Sequence, residues 1–261
     1  MGKFFKWIGW FLLISRLGDS VFSKVKLFFV ALYISASELV PFLPRVEYRV
    51  TLSIYGKQHR ASVASLHELL LLKEIYIDKV YECSEVTAPR LIIDLGSNVG
   101  FSVLYFASLY PEALIHAVEP SPRLYERLVR ATSACKNVVL HRLAIAEVDG
   151  EVSLFLSHNS LGASVVRKEG TVIRVPAMRS DTFLESIQAD KVDILKFDIE
   201  GAETALLKGF KRFSAVYHLV GEMHYDRISL RLADVQASYP EYECNEKYIS
   251  SHRSIMSMHK K

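Results

Sequence analysis

The stretch LIIDLGSNVGFS, residues 91 to 102, constrains this chain more than any other. A short apolar run, Leu91 to Ile93, passes through Asp94 into a turn carrying Gly96 and Gly100. A helix-patterned run, Phe101 to Leu109, follows. Strand, glycine-bearing turn and helix in that order open a βαβ unit and point to an α/β fold built on a parallel sheet. Ligands of such sheets bind at the carboxyl ends of the strands, where glycine lets the backbone come close. A small-molecule site near Gly96 is expected.

The turn lacks the G-x-G-x-x-G that brings a pyrophosphate onto a helix N-terminus. Its spacing is D-x-G-x-N-x-G, with Asp94, Gly96, Asn98 and Gly100. A carboxylate at Asp94 would repel a pyrophosphate and attract an ammonium group. The next apolar run, Leu114 to Val118, ends in Glu119, and a carboxylate there can accept hydrogen bonds from both ribose hydroxyls. A third strand is expected over Asn137 to Ala146, with Leu143, Ala144 and Ile145 as neighbours of an adenine ring. A ligand with a cationic amino-acid end and a nucleoside end, such as S-adenosylmethionine, fits this order. Two rivals stand beside this reading: a nicotinamide-dependent oxidoreductase, disfavoured by the missing glycine fingerprint, and a non-catalytic, membrane-recruited binding protein with a vestigial pocket.

At 261 residues the chain is long enough for one domain and an appendage. A net charge of +3 is too small to argue for a nucleic-acid partner. Cys83, Cys135 and Cys244 are scattered, without a C-x-x-C, so neither a disulfide framework nor a structural zinc site is indicated and the cytoplasm is the expected compartment. Residues 1–44 stand apart as an apolar helical extension, with FFKWIGWFLLI and LFFVALYISAS interrupted by Lys3, Lys6, Arg16, Asp19, Lys24, Lys26 and Glu38. Each uncharged run falls short of the roughly 20 residues a spanning helix needs. An interfacial helix pair on the cytoplasmic face of a membrane, packing on the rest of the chain, and homodimerisation are the readings for this segment. Residues 45–85 read as a small β/α lead-in, a hairpin turning at Gly56 and a helix whose capping box starts at Ser65. The Rossmann-like domain then runs over residues 86–261, with helices on both faces of its sheet.

The second informative stretch is VDILKFDIEGAETALLKGF. Val192 to Phe197 has a buried-strand pattern, Asp198 and Glu200 follow, and Gly201 is expected to open a helix. A fifth strand from Ala215 ends in Glu222 and His224, and a helix pattern follows over Ile228 to Ala237. Residues two apart in a strand point the same way, so each pair is expected to share a face at the carboxyl edge. An imidazole suits proton removal from a hydroxyl, which makes His224 the first candidate base, with Glu200 second. The same four side chains, Asp198, Glu200, Glu222 and His224, could instead hold a divalent cation that acidifies the hydroxyl; spacing leaves both open. Lys196 is expected to pair with an acid. A Ser/Gly/Asn/His loop between Leu156 and Thr171, with His158 and Asn159, is a candidate substrate cover.

DLGSNVG at Asp94 to Gly100, VEP at Val118 to Pro120, and above all LKFDIEGAE at Leu195 to Glu203 resemble the FkbM-type methyltransferase family. The resemblance covers about residues 74–224. It implies a seven-stranded S-adenosylmethionine-dependent methyltransferase fold acting on oxygen, commonly a sugar or polyketide hydroxyl. It assigns Asp94, Gly96, Asn98 and Gly100 to the cofactor turn, Glu119 to the ribose, and Asp198, Glu200 and Glu203 to the family's acidic motif; Ser97, where the family often has alanine, and Asp198 are counted with the cofactor-binding residues. The expected acceptor is therefore a small molecule, saccharide or glycolipid.

Overall fold

A computed structural model describes residues 2–40, 42–156, 163–164 and 171–261, with the side chains of residues 2–6 and 163–164 excepted. His158 and Asn159 lie outside the described residues. Two helices, α1 (Gly2–Ser15) and α2 (Val21–Leu39), precede a hairpin of β1 (Tyr48–Ile54) and β2 (Lys57–Val63) and then α3 (Leu66–Tyr76). The α/β alternation follows as β3 (Leu91–Leu95), α4 (Phe101–Leu109), β4 (Leu114–Val118), α5 (Pro122–Thr132) and β5 (Val138–His141). After β6 (Ala144–Ile145), β7 (Gly150–Leu156), β8 (Ala163–Ser164) and β9 (Thr171–Met178) come α6 (Ser180–Ser186), β10 (Val192–Phe197) and α7 (Glu203–Gly209). The chain closes with β11 (Val216–His224), α8 (Leu232–Ser238), β12 (Tyr242–Tyr248) and β13 (Arg253–Lys260).

Seven strands form the main sheet in the order β5-β4-β3-β10-β11-β13-β12. Neighbours from β5 to β11 are parallel, and β13 runs antiparallel to both β11 and β12. Strand order reverses between β3 and β10, and a crevice opens at the carboxyl ends of such a switch point. Alternation along the strands builds two cores. Ile92, Ile194 and Val220 face α3, α4 and α5, whereas Ile93, Leu195 and Leu219 face α6, α7 and α8. Helices therefore cover both faces, as expected of strands this apolar. Helix α4 is buried from Phe101 to Ser108, which accounts for its lack of a polar side.

Three expected elements differ. The strand read over Asn137 to Ala146 is divided: β5 stays on the main sheet, while β6 pairs with β9 in a separate four-stranded sheet ordered β6-β9-β7-β8. Strand β5 is the edge of the main sheet, so no outer neighbour holds the chain past His141, and Ala144 and Ile145 gain burial against β9 instead. Helix α8 begins at Leu232 rather than Ile228, because the Arg231 N–H donates to the Asp234 carboxylate at 2.9 Å and starts the helix there. Gly201 has φ +111° and belongs to the turn, with α7 starting at Glu203.

The N-terminal elements share a core with the sheet. Phe11, Ile14, Leu27, Val30 and Ile34 join Leu52, Leu69, Leu72, Val103 and Phe106 in one apolar cluster. The expected cap is present, the Ser65 hydroxyl accepting from the Glu68 N–H at 3.2 Å. Glu68 is fully buried and receives Arg127 of α5 through two hydrogen bonds of 2.6 and 2.8 Å. That bidentate pair locks α3 to α5. No described helix is long and apolar enough to cross a membrane.

Candidate functional site

The turn after β3 is held from behind. Gly96 and Ser97 donate their N–H groups to the Val118 carbonyl at 2.9 and 3.0 Å, tying the turn to the end of β4. Gly96 has φ +75°, and a Cβ there would lie 1.8 Å from the Asp198 carbonyl oxygen, so no side chain fits between the turns after β3 and β10. Gly100, at φ +96°, caps α4 and packs on Leu128. The Ser97 hydroxyl donates to the Asp94 carbonyl at 2.9 Å.

Asp94 corrects an expectation. It is wholly buried, 2.9 Å from Lys196 Nζ, and accepts a 2.5 Å hydrogen bond from the Ser102 hydroxyl. Its charge is neutralised inside the protein rather than offered to a ligand's ammonium group. Lys196 also donates to the Gly96 carbonyl at 2.8 Å. Burial presses the Lys196 pKa down, but Asp94 and Asp198 outweigh it and hold the amine above its ordinary value. The pair shapes the turn, and Asp94, Ser97 and Gly100 are not among the residues lining the cleft in front of it.

In front of the turn lies a cleft of about 590 Å³, its open mouth included, lined by Gly96, Asn98, Glu119, Ala144, Asp198 and Glu200 among others. Its apolar end is Leu143, Ala144 and Ile145 with Leu124 and Leu154. At its centre the Glu119 carboxylate accepts the N–H groups of Asn98 and Ser121, both at 2.9 Å, leaving further lone pairs for a ligand. Burial raises its pKa to about 7 against those two hydrogen bonds. At the polar end, Asn98 Oδ1 and Asp198 Oδ1 are buried acceptors without a hydrogen-bond donor among the described residues. Unmet buried acceptors beside a cleft suit a cationic, hydrogen-bonding ligand.

Past the polar end, the four expected acid and imidazole groups converge. His224 Nε2 lies 3.5 Å from Glu222 Oε2, 3.8 Å from Glu200 Oε2 and 3.9 Å from Asp198 Oδ1. Glu222 and His224 share a face of β11 as strand alternation requires. Asp198 and Glu200 meet the imidazole by another route, since β10 has ended at Phe197 and Glu200 adopts φ +54° in the following turn. Ligand atoms of Asp198, Glu200 and His224 all fall within 4.8 Å of one another. The other ring nitrogen, Nδ1, is 2.6 Å from the carboxylate of Glu203, a fully buried residue. Burial presses the His224 pKa down, yet the Glu203 hydrogen bond and the charges of Asp198, Glu203 and Glu222 outweigh it and carry the pKa to about 9. Burial and the nearby Asp198 raise Glu222 to about 8.

This arrangement falls inside a recognisable sequence unit. Residues 94–241 match the family model for the methyltransferase FkbM domain. The chain belongs to the FkbM methyltransferase family. Relatives of this FkbM methyltransferase include Methyltransferase 1 of Beauveria bassiana, 26% identical over 56% of this chain and 68% of the relative. The hexuronic acid methyltransferase AglP of Haloferax volcanii is 27% identical over 66% of this chain and 72% of its own length. The 2-O-methyltransferase NoeI of Sinorhizobium fredii is 25% identical, over 46% and 57%. Among solved structures, the Methanococcus jannaschii fibrillarin pre-rRNA processing protein aligns with a TM-score of 0.42 at 13% identity, over 69% of this chain and 70% of that one.

Several side chains of the FkbM methyltransferase site carry no sequence signal of their own. Arg227, in the segment after β11, forms an ion pair with Glu200. Arg253 of β13 pairs with Glu74 of α3 and approaches Glu222 to 3.5 Å. Leu154, from the second sheet, completes the apolar end of the cleft. Glu203 stands in the acidic motif, but its hydrogen bond to His224, 21 residues away in the chain, is a product of the fold.

Proposed function

We propose that this chain transfers a methyl group from S-adenosylmethionine to a hydroxyl oxygen of a saccharide or similar hydroxylated small molecule. One observation carries the reading: a cleft with a buried carboxylate at Glu119 and unmet acceptors at Asn98 and Asp198 opens onto an imidazole that a second buried carboxylate orients. Apolar Leu143, Ala144, Ile145 and Leu154 suit an adenine ring, Glu119 suits the ribose hydroxyls, and Asn98 and Asp198 suit the cationic amino-acid end. The cofactor supplies an electrophilic methyl on a sulfonium, which leaves as a neutral thioether. His224 Nε2 takes the hydroxyl proton, and Glu203 holds the ring at Nδ1 and stabilises the imidazolium that results. In the ligand-free protein the raised pKa keeps this ring protonated at neutral pH. A sulfonium beside Asp198 offsets part of the negative field and favours the neutral ring. Positioning the acceptor in line supplies much of the rate. The relative named a 2-O-methyltransferase supports an oxygen acceptor, and the one named for hexuronic acid supports a saccharide.

The test is calorimetric titration of S-adenosylmethionine and S-adenosylhomocysteine into the full chain, then S-adenosylhomocysteine release against a panel of uronic acids, neutral sugars and glycolipids. Binding weakened by Glu119→Ala, with turnover lost in His224→Ala, is the expected result. A folded protein that binds neither compound overturns the proposal. A second reading rests on the convergence of Asp198, Glu200 and His224: a divalent cation bound there would acidify the hydroxyl, with His224 as ligand instead of base. Manganese titration followed by electron paramagnetic resonance decides between them, since the base reading requires no tight ion at these residues.

A further inference from the structure

Helix α2 has two faces, and α1, β1 and α3 pack against one of them. Leu27, Val30, Ala31 and Ile34 are buried against the rest of the molecule. On the opposite side, Phe22, Val25, Phe29, Leu32 and Leu39 form a continuous stripe, with Phe22 78% and Phe29 60% exposed, and Phe42 extends it past the helix end at 85%. At about 100° per residue, Lys24 and Lys26 fall on the two flanks of that stripe. Trp7 and Leu12 of α1 are exposed as well, and Trp7, Trp10, Phe11, Phe28 and Phe29 form a chain of ring contacts joining the two helices.

The stripe meets a basic groove. Lys26 borders both an apolar hollow, formed by Phe29, Leu32, Tyr33 and Tyr48, and a wide polar groove of about 1620 Å³, open mouth included. The groove presents Lys26, Arg49, Arg60 and Arg130, contributed by α2, β1, β2 and α5. Of the acids on this side, Glu38 pairs with Arg45, and Glu47 with Arg130 and Arg127.

We propose that α2 and the adjoining basic groove dock this protein on an anionic phospholipid surface, with the helix lying in the headgroup plane. The apolar stripe enters the acyl boundary while Lys24, Lys26, Arg49 and Arg60 meet lipid phosphates. An amphipathic helix with aromatics on one face and lysines on its flanks has this chemistry, and each basic side chain near such a surface adds about 1 kcal/mol, or roughly fivefold. A second copy of the chain suits the face less well. An isologous dimer sets a patch against itself, so the same uncompensated cations would oppose one another. The side chains that meet lipid in this proposal, on α2, β1 and β2, lie outside residues 94–241, and the inference stands independently of the acceptor or the cofactor.

The experiment is flotation of the full chain with vesicles of phosphatidylcholine alone and of phosphatidylcholine containing about one third phosphatidylglycerol. The wild type floats with the anionic vesicles, more weakly as salt rises, and little with the neutral ones. Phe22→Glu with Phe29→Glu lowers the partition at least about tenfold. Lys24→Glu with Lys26→Glu removes the preference for anionic lipid. Circular dichroism shows that both variants remain folded, since all four side chains are exposed. Wild type that fails to float, or a double phenylalanine variant that floats as well as wild type, overturns the proposal. So does a solution dimer that the phenylalanine substitutions dissociate, because the occupant is then a second copy.

Discussion

Replacing Glu203 by Gln should move the titration of His224 by more than one pH unit without disturbing the fold. Glutamine keeps the shape of this fully buried side chain and can still bond to Nδ1, so packing changes little. What it removes is the negative charge 2.6 Å from the ring. A buried hydrogen bond to a charged acceptor contributes about 1.5–3 kcal/mol, which at 1.36 kcal/mol per pH unit is roughly one to two units. The ring sits at about 9 in the intact protein, against 6.5 for an ordinary histidine. The variant should therefore titrate between about 7 and 8. Because the folded pKa is raised, the stability this site contributes is fully present below about pH 6.5 and is lost as pH rises through about 9. In the variant that loss comes at lower pH. The assay is the carbon shift of labelled histidine rings in chelator-treated protein, read from about pH 5 to pH 10, with His224→Gln assigning the resonance. A midpoint that stays in place in Glu203→Gln, or a wild-type midpoint near 6.5, would refute the reasoning. Methyl transfer by the variant should show its basic plateau beginning at lower pH, at a reduced height, because a weaker base is already neutral there.

Other parts of the site respond in their own ways. Gly96→Ala should abolish cofactor binding in calorimetry while costing at least about 1–2 kcal/mol in urea unfolding, since a left-handed alanine is strained and its Cβ would collide with the Asp198 carbonyl. Arg127→Met leaves the buried Glu68 carboxyl without its guanidinium partner and should destabilise by about 3–5 kcal/mol; Arg127→Met with Glu68→Leu should recover most of that in chemical denaturation. Affinity for S-adenosylmethionine should rise as pH passes upward through about 7, where Glu119 becomes the carboxylate that accepts ribose hydroxyls. Glu119→Gln should bind more weakly and lose that dependence, as calorimetry at pH values on either side would show.

Much of the α/β frame was legible because its signals are local. The apolar runs of β3, β4, β10 and β11 are bounded by turns, and the α3 cap at Ser65 needs only neighbouring residues to form. The division of Asn137 to Ala146 between two sheets was not legible, since β5 and β6 differ in their partners rather than in their composition. Asp94 illustrates the same limit at the site. Its place in the turn motif is plain in the chain, but whether it faces a ligand or a lysine depends on Lys196 arriving opposite it from β10.

By itself, the sequence determined the class of fold, the turn that begins the site and the edge at which its acids collect, because period, glycine and strand-end residues act over a few positions. Only the tertiary structure decided which side chains meet: Glu203 with His224, Arg227 with Glu200, and Leu154 with the cleft. Such contacts are made between distant segments, and burial decides which charges stay paired inside and which face the cleft.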